Sequence, residues 1–207
     1  MTASPSRVEA DGALAFGERL GEAFFDRPPR DVARDLIGCG LFHDGAGGAI
    51  VETEAYERDD PACHAYVGRT ERTDVIYGPP GRAYVYLCYG IHRMFNVVTE
   101  SNGTAAAVLV RALQPQVGLE VMELRRGAPR EAQDLCSGPG KLCEALAIEL
   151  DETYSRLWEP PWQLTARQTD ASTPEIVAGP RIGITKGVEL PWRYCLAGSR
   201  FLSRSAG

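Results

Sequence analysis

The chain has 207 residues, 44% of them hydrophobic and 24% charged, with a formal net charge of −6. That length can bury a substantial core in one large domain, and no run of about 18 apolar residues exists that would span a membrane. The acidic balance argues against a protein that coats DNA indiscriminately. The six cysteines form no C-x-x-C pair and only three histidines are present, so a zinc site has little support.

Residues 1–12 carry Arg7, Glu9 and Asp11 without an apolar stretch, and read as a loose N-terminus rather than a secretory signal. The rest, 13–207, reads as a single domain without repeats or a linker. Leu14, Phe16, Leu20, Phe24 and Phe25 make a loose helical stripe over 13–25, broken by Pro28-Pro29. Asp31–Ile37 reads as a short helix stopped by Gly38. Cys39–His43 is a short strand, 44–48 a turn, and Ala49–Tyr56 a second strand.

Side chains alternate along a strand, so Glu52, Glu54 and Tyr56 share one face and Val51, Thr53 and Ala55 the other. Two carboxylates on one face of an apolar strand repel unless a cation or water receives them. They mark either a solvated face or a site. Glu57–Pro80 is a long polar loop, of the kind that carries function in compact domains. It holds Asp59-Asp60-Pro61, His64, Arg69 and Arg72.

Ala83–Glu100 reads as a hairpin. Tyr84–Leu87 and Phe95–Thr99 are strand formers on either side of Tyr89-Gly90-Ile91-His92. Turns usually carry small polar residues, and Tyr89 stands where a side chain projects. Either the ring folds back on the core, or it is a wedge suited to a stack of bases. Ala105–Leu113 is a third apolar strand, ended by Gln114-Pro115. Its single charge, Arg111, needs a partner, which the Glu54 face can offer. Val117–Arg126 reads as an amphipathic helix, and Pro139–Ile148 as another, with Ser137 as its cap and Lys141 in a first turn that could cradle phosphate. Asp151–Glu175 reads as an irregular excursion, and Arg181–Thr185 and Tyr194–Ala197 as closing strands.

The charge is uneven. Residues 1–60 sum to −7, residues 61–130 to +3 and residues 131–207 to −2. All eight cations of the middle third are arginines, whose planar forks suit phosphate oxygens, although a GC-rich genome favours arginine too. The free cysteines and apolar strand-like runs around Cys39, Cys88 and Cys195 place the chain in a reducing cytoplasm, at the nucleoid if the source is bacterial.

From about Asp31 to Leu196 the chain resembles the alkyladenine (3-methyladenine) DNA glycosylases. The resemblance rests on Ile50-Val51-Glu52-Thr53-Glu54-Ala55-Tyr56, His64, Gly78-Pro79-Pro80-Gly81, Tyr84-Val85-Tyr86, Tyr89-Gly90, Asn96, Val108-Leu109-Val110-Arg111 and Leu135-Cys136-Ser137-Gly138-Pro139 with Lys141-Leu142-Cys143. It implies a single mixed α+β domain with a curved antiparallel sheet, surrounding helices and a protruding hairpin. It also implies a monofunctional base-excision glycosylase that flips damaged purines from double-stranded DNA and leaves an abasic site. Its substrates would be 3-methyladenine, 7-methylguanine and neutral lesions such as hypoxanthine or ethenoadenine.

On these positions Glu54 matches the base that activates water, with Arg111 and the Ile182 carbonyl positioning that water. Tyr56, His64, Tyr86 and Leu109 match the pocket for the flipped base, and Asn96 a residue that excludes guanine. Tyr89 matches the wedge, and Ile91, Arg69 and Lys141 fall in segments that meet DNA. No metal or cofactor is implied, neither lysine falls beside Glu54 in the motif, and the expected state is a monomer. The competing readings are a non-catalytic module that binds damaged DNA, and a glycoside hydrolase using Glu52 and Glu54, whose i,i+2 spacing on one strand is about 6–7 Å.

Overall fold

The computed structural model describes residues 16–127, 131–167 and 173–206. Its spine is a 12-residue strand, β3 (Ala46–Glu57). One edge of β3 pairs along most of its length with β6 (Ala106–Val117). The other edge is shared. Its first part pairs with β2 (Gly40–His43), and Glu52–Glu54 pair with β9 (Arg193–Leu196). The remaining strands are β1 (Phe16–Arg19), β4 (Ala83–Cys88), β5 (His92–Val98), β7 (Trp162–Arg167) and β8 (Ile176–Gly179). They form one sheet in the order β1-β7-β2-β3-β6-β5-β4, with β9 beside β3 and β8 beside β9, and every pair is antiparallel. This is the α+β class that the sequence led us to expect.

Four short helices are α1 (Glu22–Phe25), α2 (Pro29–Asp35), α3 (Leu119–Arg125) and α4 (Pro139–Ala145). Helices α2 and α4 pack on one face of the sheet, and the main core forms there from Val32, Leu36, Ile50, Phe95, Leu142 and Trp162 among others. A second cluster, including Ile76, Tyr77, Tyr84 and Val98, lies beneath the 57–80 loop. A third joins Val51, Ala112 and Phe201.

Several boundaries differ from the sequence reading. The 13–25 stripe is not one helix; residues 13–15 lie outside the described residues, and β1 and α1 follow. Gly17 lets β1 lie on β7, because a Cβ there would come within 3.2 Å of the carbonyl oxygens of Ala166 and Arg167. The 44–48 turn shrinks to Asp44-Gly45, and Gly47 and Gly48 belong to β3. A Cβ on Gly48 would sit 1.9 Å from the Gln114 oxygen, so a glycine run that reads as a turn is here what admits the partner strand. Strand β6 continues through Gln114-Pro115, opposite Ala49 and Gly48.

The 151–175 segment holds β7, whose alternating Trp162 and Leu164 enter the core. Arg181–Thr185 is not a strand; β8 precedes it, and Arg181 is drawn inward by Asp60. Ser137 does not cap α4: Gly138 takes the cap position at φ 149°, and the Ser137 hydroxyl accepts from Lys141 Nζ at 3.3 Å.

Candidate active site

The site is a row across the sheet on the face away from α2 and α4. Glu54 of β3 lies opposite Leu109 of β6, Leu109 opposite Asn96 of β5, and Asn96 opposite Tyr84 of β4. Antiparallel partners share a face, so register alone aligns these four side chains. Thr53 points the other way and donates to Ala33 O at 2.8 Å.

The β3–β6 register slips twice here. Ile50 and Glu52 oppose Leu113 and Ala112, which leaves Val51 without a partner; Glu52 and Thr53 oppose Ala112 and Val110, which leaves Arg111 without one. These two bulges have consequences. Val51 leaves the helix-side core and joins Ala112 and Phe201, so it does not share the face of Thr53 and Ala55 as simple alternation requires. Arg111 reaches both carboxylates, with Nε 2.9 Å from Glu52 Oε1 and Nη1 3.2 Å from Glu54 Oε2.

Glu54 is 0% exposed and is held by charge and hydrogen bonds. Its Oε2 also accepts from the Tyr56 hydroxyl at 2.8 Å, and its Oε1 accepts from the Ile182 backbone N–H at 2.7 Å. At Ile182 it is the backbone N–H that meets Glu54. A carboxylate offers about four acceptor positions, so one on Oε1 remains open. Burial, with the Glu54 charge next, pushes the Tyr56 pKa up, so the phenol keeps its proton and donates. Burial opposes the charge of Glu52, but Arg111 and the Ser203 hydrogen bonds outweigh it and hold its pKa below the usual carboxylate value.

Tyr56, Arg111 and Ile182 form part of the wall of a cavity of about 610 Å³, within the range of small-molecule sites. Glu54 lies just behind that wall. The wall also holds His64, Tyr84, Tyr86, Asn96, Leu109 and Tyr89. Tyr84 and Tyr86 stack at 5.3 Å, and His64 meets Tyr86 edge-on at 4.5 Å. His64 Nδ1 lies 2.9 Å from the Tyr84 hydroxyl. Burial, helped by the charge of Arg72, lowers the His64 pKa from 6.5 to about 4, so the ring is neutral near pH 7. The Asn96 amide donates to Tyr84 O at 3.2 Å, which fixes its orientation.

Guanidinium groups already occupy two of the aromatic rings. Arg72 lies over Tyr86 at 5.1 Å and itself lines the cavity. Arg181 lies over Tyr56 at 4.7 Å and over Trp192 at 5.2 Å, and is locked to Asp60 in a buried ion pair. That pair ties the 57–80 loop to the segment that brings Ile182 to Glu54.

The hairpin tip leaves the body of the protein. Tyr89 and Gly90 both take left-handed backbone (φ 52° and 73°), and Tyr89 is 88% and Ile91 69% exposed. Tyr89 stands at the cavity mouth, while Ile91, Arg69 and Lys141 are not part of the cavity wall. Arg69 is paired with Asp74 at 2.6 Å. Lys141 is on α4, whose Gly140 abuts the His92 ring beside the tip.

Residues that the sequence reading gave no role in the site include Arg72, Tyr84, Met94 and Lys186 in the wall, and Asp60, Arg181 and Ser203 behind it, where Glu52 also lies. Alternation along β4 excludes neither Tyr84 nor Tyr86, since i,i+2 residues share a face. Ser203 carried no signal.

A family model described as methylpurine-DNA glycosylase matches residues 23–200. A relative from Rhodopseudomonas palustris strain BisB18 is 53% identical over 93% of this chain and 94% of its own. Another, from Bradyrhizobium diazoefficiens, is 53% identical over 91% of this chain and 92% of its own. A third, from Nitrosospira multiformis, is 51% identical over 84% and 88%. Each is named as a candidate 3-methyladenine DNA glycosylase.

Proposed function

The chain belongs to the methylpurine-DNA glycosylase family and is a DNA glycosylase, and from that premise we propose a base-flipping hydrolysis centred on Glu54. The observation that carries this reading is the Glu54 carboxylate held by Tyr56, Ile182 and Arg111 directly behind an aromatic cavity. A damaged purine swings out of double-stranded DNA into the cavity, between Tyr56 and the His64–Tyr86 wall. Tyr89 enters the gap in the duplex. Extrusion costs a few kcal/mol, and an inserted side chain with phosphate contacts offsets it.

Water then donates a proton to the free position on Glu54 Oε1 as its oxygen attacks the sugar C1′. The C–N bond breaks and its electron pair leaves with the base. General-base help of this kind is worth about 10²–10⁴-fold. Arg111 and the Ile182 amide keep the carboxylate aimed. Asn96, fixed by its bond to Tyr84 O, crowds the 2-amino group of guanine.

The substrates include 3-methyladenine and 7-methylguanine. The cations on Tyr56 and Tyr86 oppose a positively charged purine, so the pocket itself suits neutral lesions such as hypoxanthine and ethenoadenine. Alkylated cationic purines react because their glycosidic bonds are weak. Among the described residues no lysine lies within ion-pair distance of Glu54, and the enzyme is monofunctional. In this reading it works as a monomer on cytoplasmic, nucleoid DNA.

The test is incubation with duplexes carrying hypoxanthine, ethenoadenine or 7-methylguanine, followed by alkali. Strand breaks after alkali, without borohydride-trapped covalent complex, are expected. Binding without any alkali-labile site would contradict catalysis, and a trapped complex through Lys186, the lysine in the cavity wall, would contradict the monofunctional reading.

A further inference from the structure

Behind the site lies a second buried carboxylate, Glu52, which touches neither the cavity nor solvent. It is 0% exposed, yet it accepts four hydrogen bonds. Its Oε1 accepts from Arg111 Nε at 2.9 Å, Arg193 Nε at 2.8 Å and the Ser203 hydroxyl at 2.8 Å, and its Oε2 accepts from the Ser203 N–H at 2.6 Å. The Ser203 hydroxyl in turn accepts from Arg111 Nη2 at 3.3 Å. Arg193 holds the segment that delivers Ser203, donating to the carbonyls of Arg204 and Ser205. This segment lies past residue 200, where the family match ends.

The guanidinium of Arg111 is therefore divided three ways: Nε to Glu52, Nη2 to Ser203 and Nη1 to Glu54. An arginine left alone with one carboxylate closes on it as a two-pronged fork, and that contact is strong. Such a clamp would tie up Glu54 and weaken it as a base. We propose that Glu52 and the 203–205 strap are positioning elements for catalysis, which hold Arg111 to a single contact with Glu54 and so keep that carboxylate available for water. This inference rests on the reading of Glu54 as the base.

The test is the rate–pH profile of single-turnover hypoxanthine excision by Glu52→Gln. The groups facing Glu54 are Tyr56 on its own strand, Arg111 on β6, Arg181 in the loop, Tyr86 on β4 and Cys195 on β9. None of these is changed in the variant. Removing the Glu52 charge leaves Glu54 as the one carboxylate paired with Arg111, so the acid limb moves to lower pH and the plateau rate falls by roughly 10- to 100-fold, while affinity for the lesion duplex stays within about two-fold. A limb that does not move, with or without a lower plateau, would overturn the proposal and leave Glu52 a purely structural group.

Should Glu52→Gln not fold, Ser203→Ala removes only the hydroxyl and Ser203→Thr restores it. A lower plateau in Ser203→Ala with recovery in Ser203→Thr is expected, and equal rates in all three proteins would overturn the role of the strap. If Glu54→Gln itself excised base at the native rate, the underlying reading would fail instead. A native-like Glu52→Gln alongside an inactive Glu54→Gln defeats this inference alone.

Discussion

Single side chains in the cavity carry opposing demands. The aromatic rings offer faces to a flipped base, but Arg72 sits over Tyr86 and Arg181 over Tyr56, so positive charge is already close. Replacing Arg72 with methionine should favour charged lesions. Excision of 7-methylguanine relative to hypoxanthine should rise about five-fold, the equivalent of roughly 1 kcal/mol for one cation near 4 Å in water. An equal fall on both lesions would assign Arg72 to a phosphate instead. His64 makes a second demand. Its folded pKa of about 4 lies below the ordinary 6.5, so the unfolded chain takes up a proton first. Stability is then fully present above about pH 6.5 and is lost as the pH falls toward 4. Urea midpoints of wild type and His64→Gln should converge over that window, and parallel curves would contradict the assignment.

At the scale of elements, the hairpin of β4 and β5 does two jobs. Its base supplies Tyr84, Tyr86 and Asn96 to the cavity, and its tip exposes Tyr89 on a left-handed backbone. Such a conformation is uncommon for a tyrosine and persists only where the surroundings impose it; here Gly90 follows it and Ile91 N bonds Cys88 O at 3.2 Å to close the turn. Tyr89→Ala should weaken binding to a fully paired lesion duplex more than to one whose lesion is already unpaired. Equal losses on both substrates would remove the wedge role. The hairpin was legible because its propensities and its Tyr-Gly tip are local. Strands β1, β7 and β8 were not, because they exist through partners far away in sequence. The glycines of β3 misled for the same reason: Gly48 is permissive for a turn, but what it permits here is the approach of Gln114.

Over the whole molecule, β3 explains why the site lies where it does. It meets β2, β6 and β9, and the two bulges turn Arg111 toward both Glu52 and Glu54. The pairing of Arg111 with the Glu54 face was readable from a lone charge in an apolar strand. The Ser203 contribution was not, because nothing local distinguishes that serine, and only the closing of the chain over Glu52 gives it a part. The account converges on one carboxylate, and the most direct measurement is single-turnover release of hypoxanthine from a lesion duplex by Glu54→Gln, with binding measured on the same preparation. Release should fall by at least about 100-fold while the duplex is still bound. Release near the native rate would contradict the assignment of Glu54 as the base.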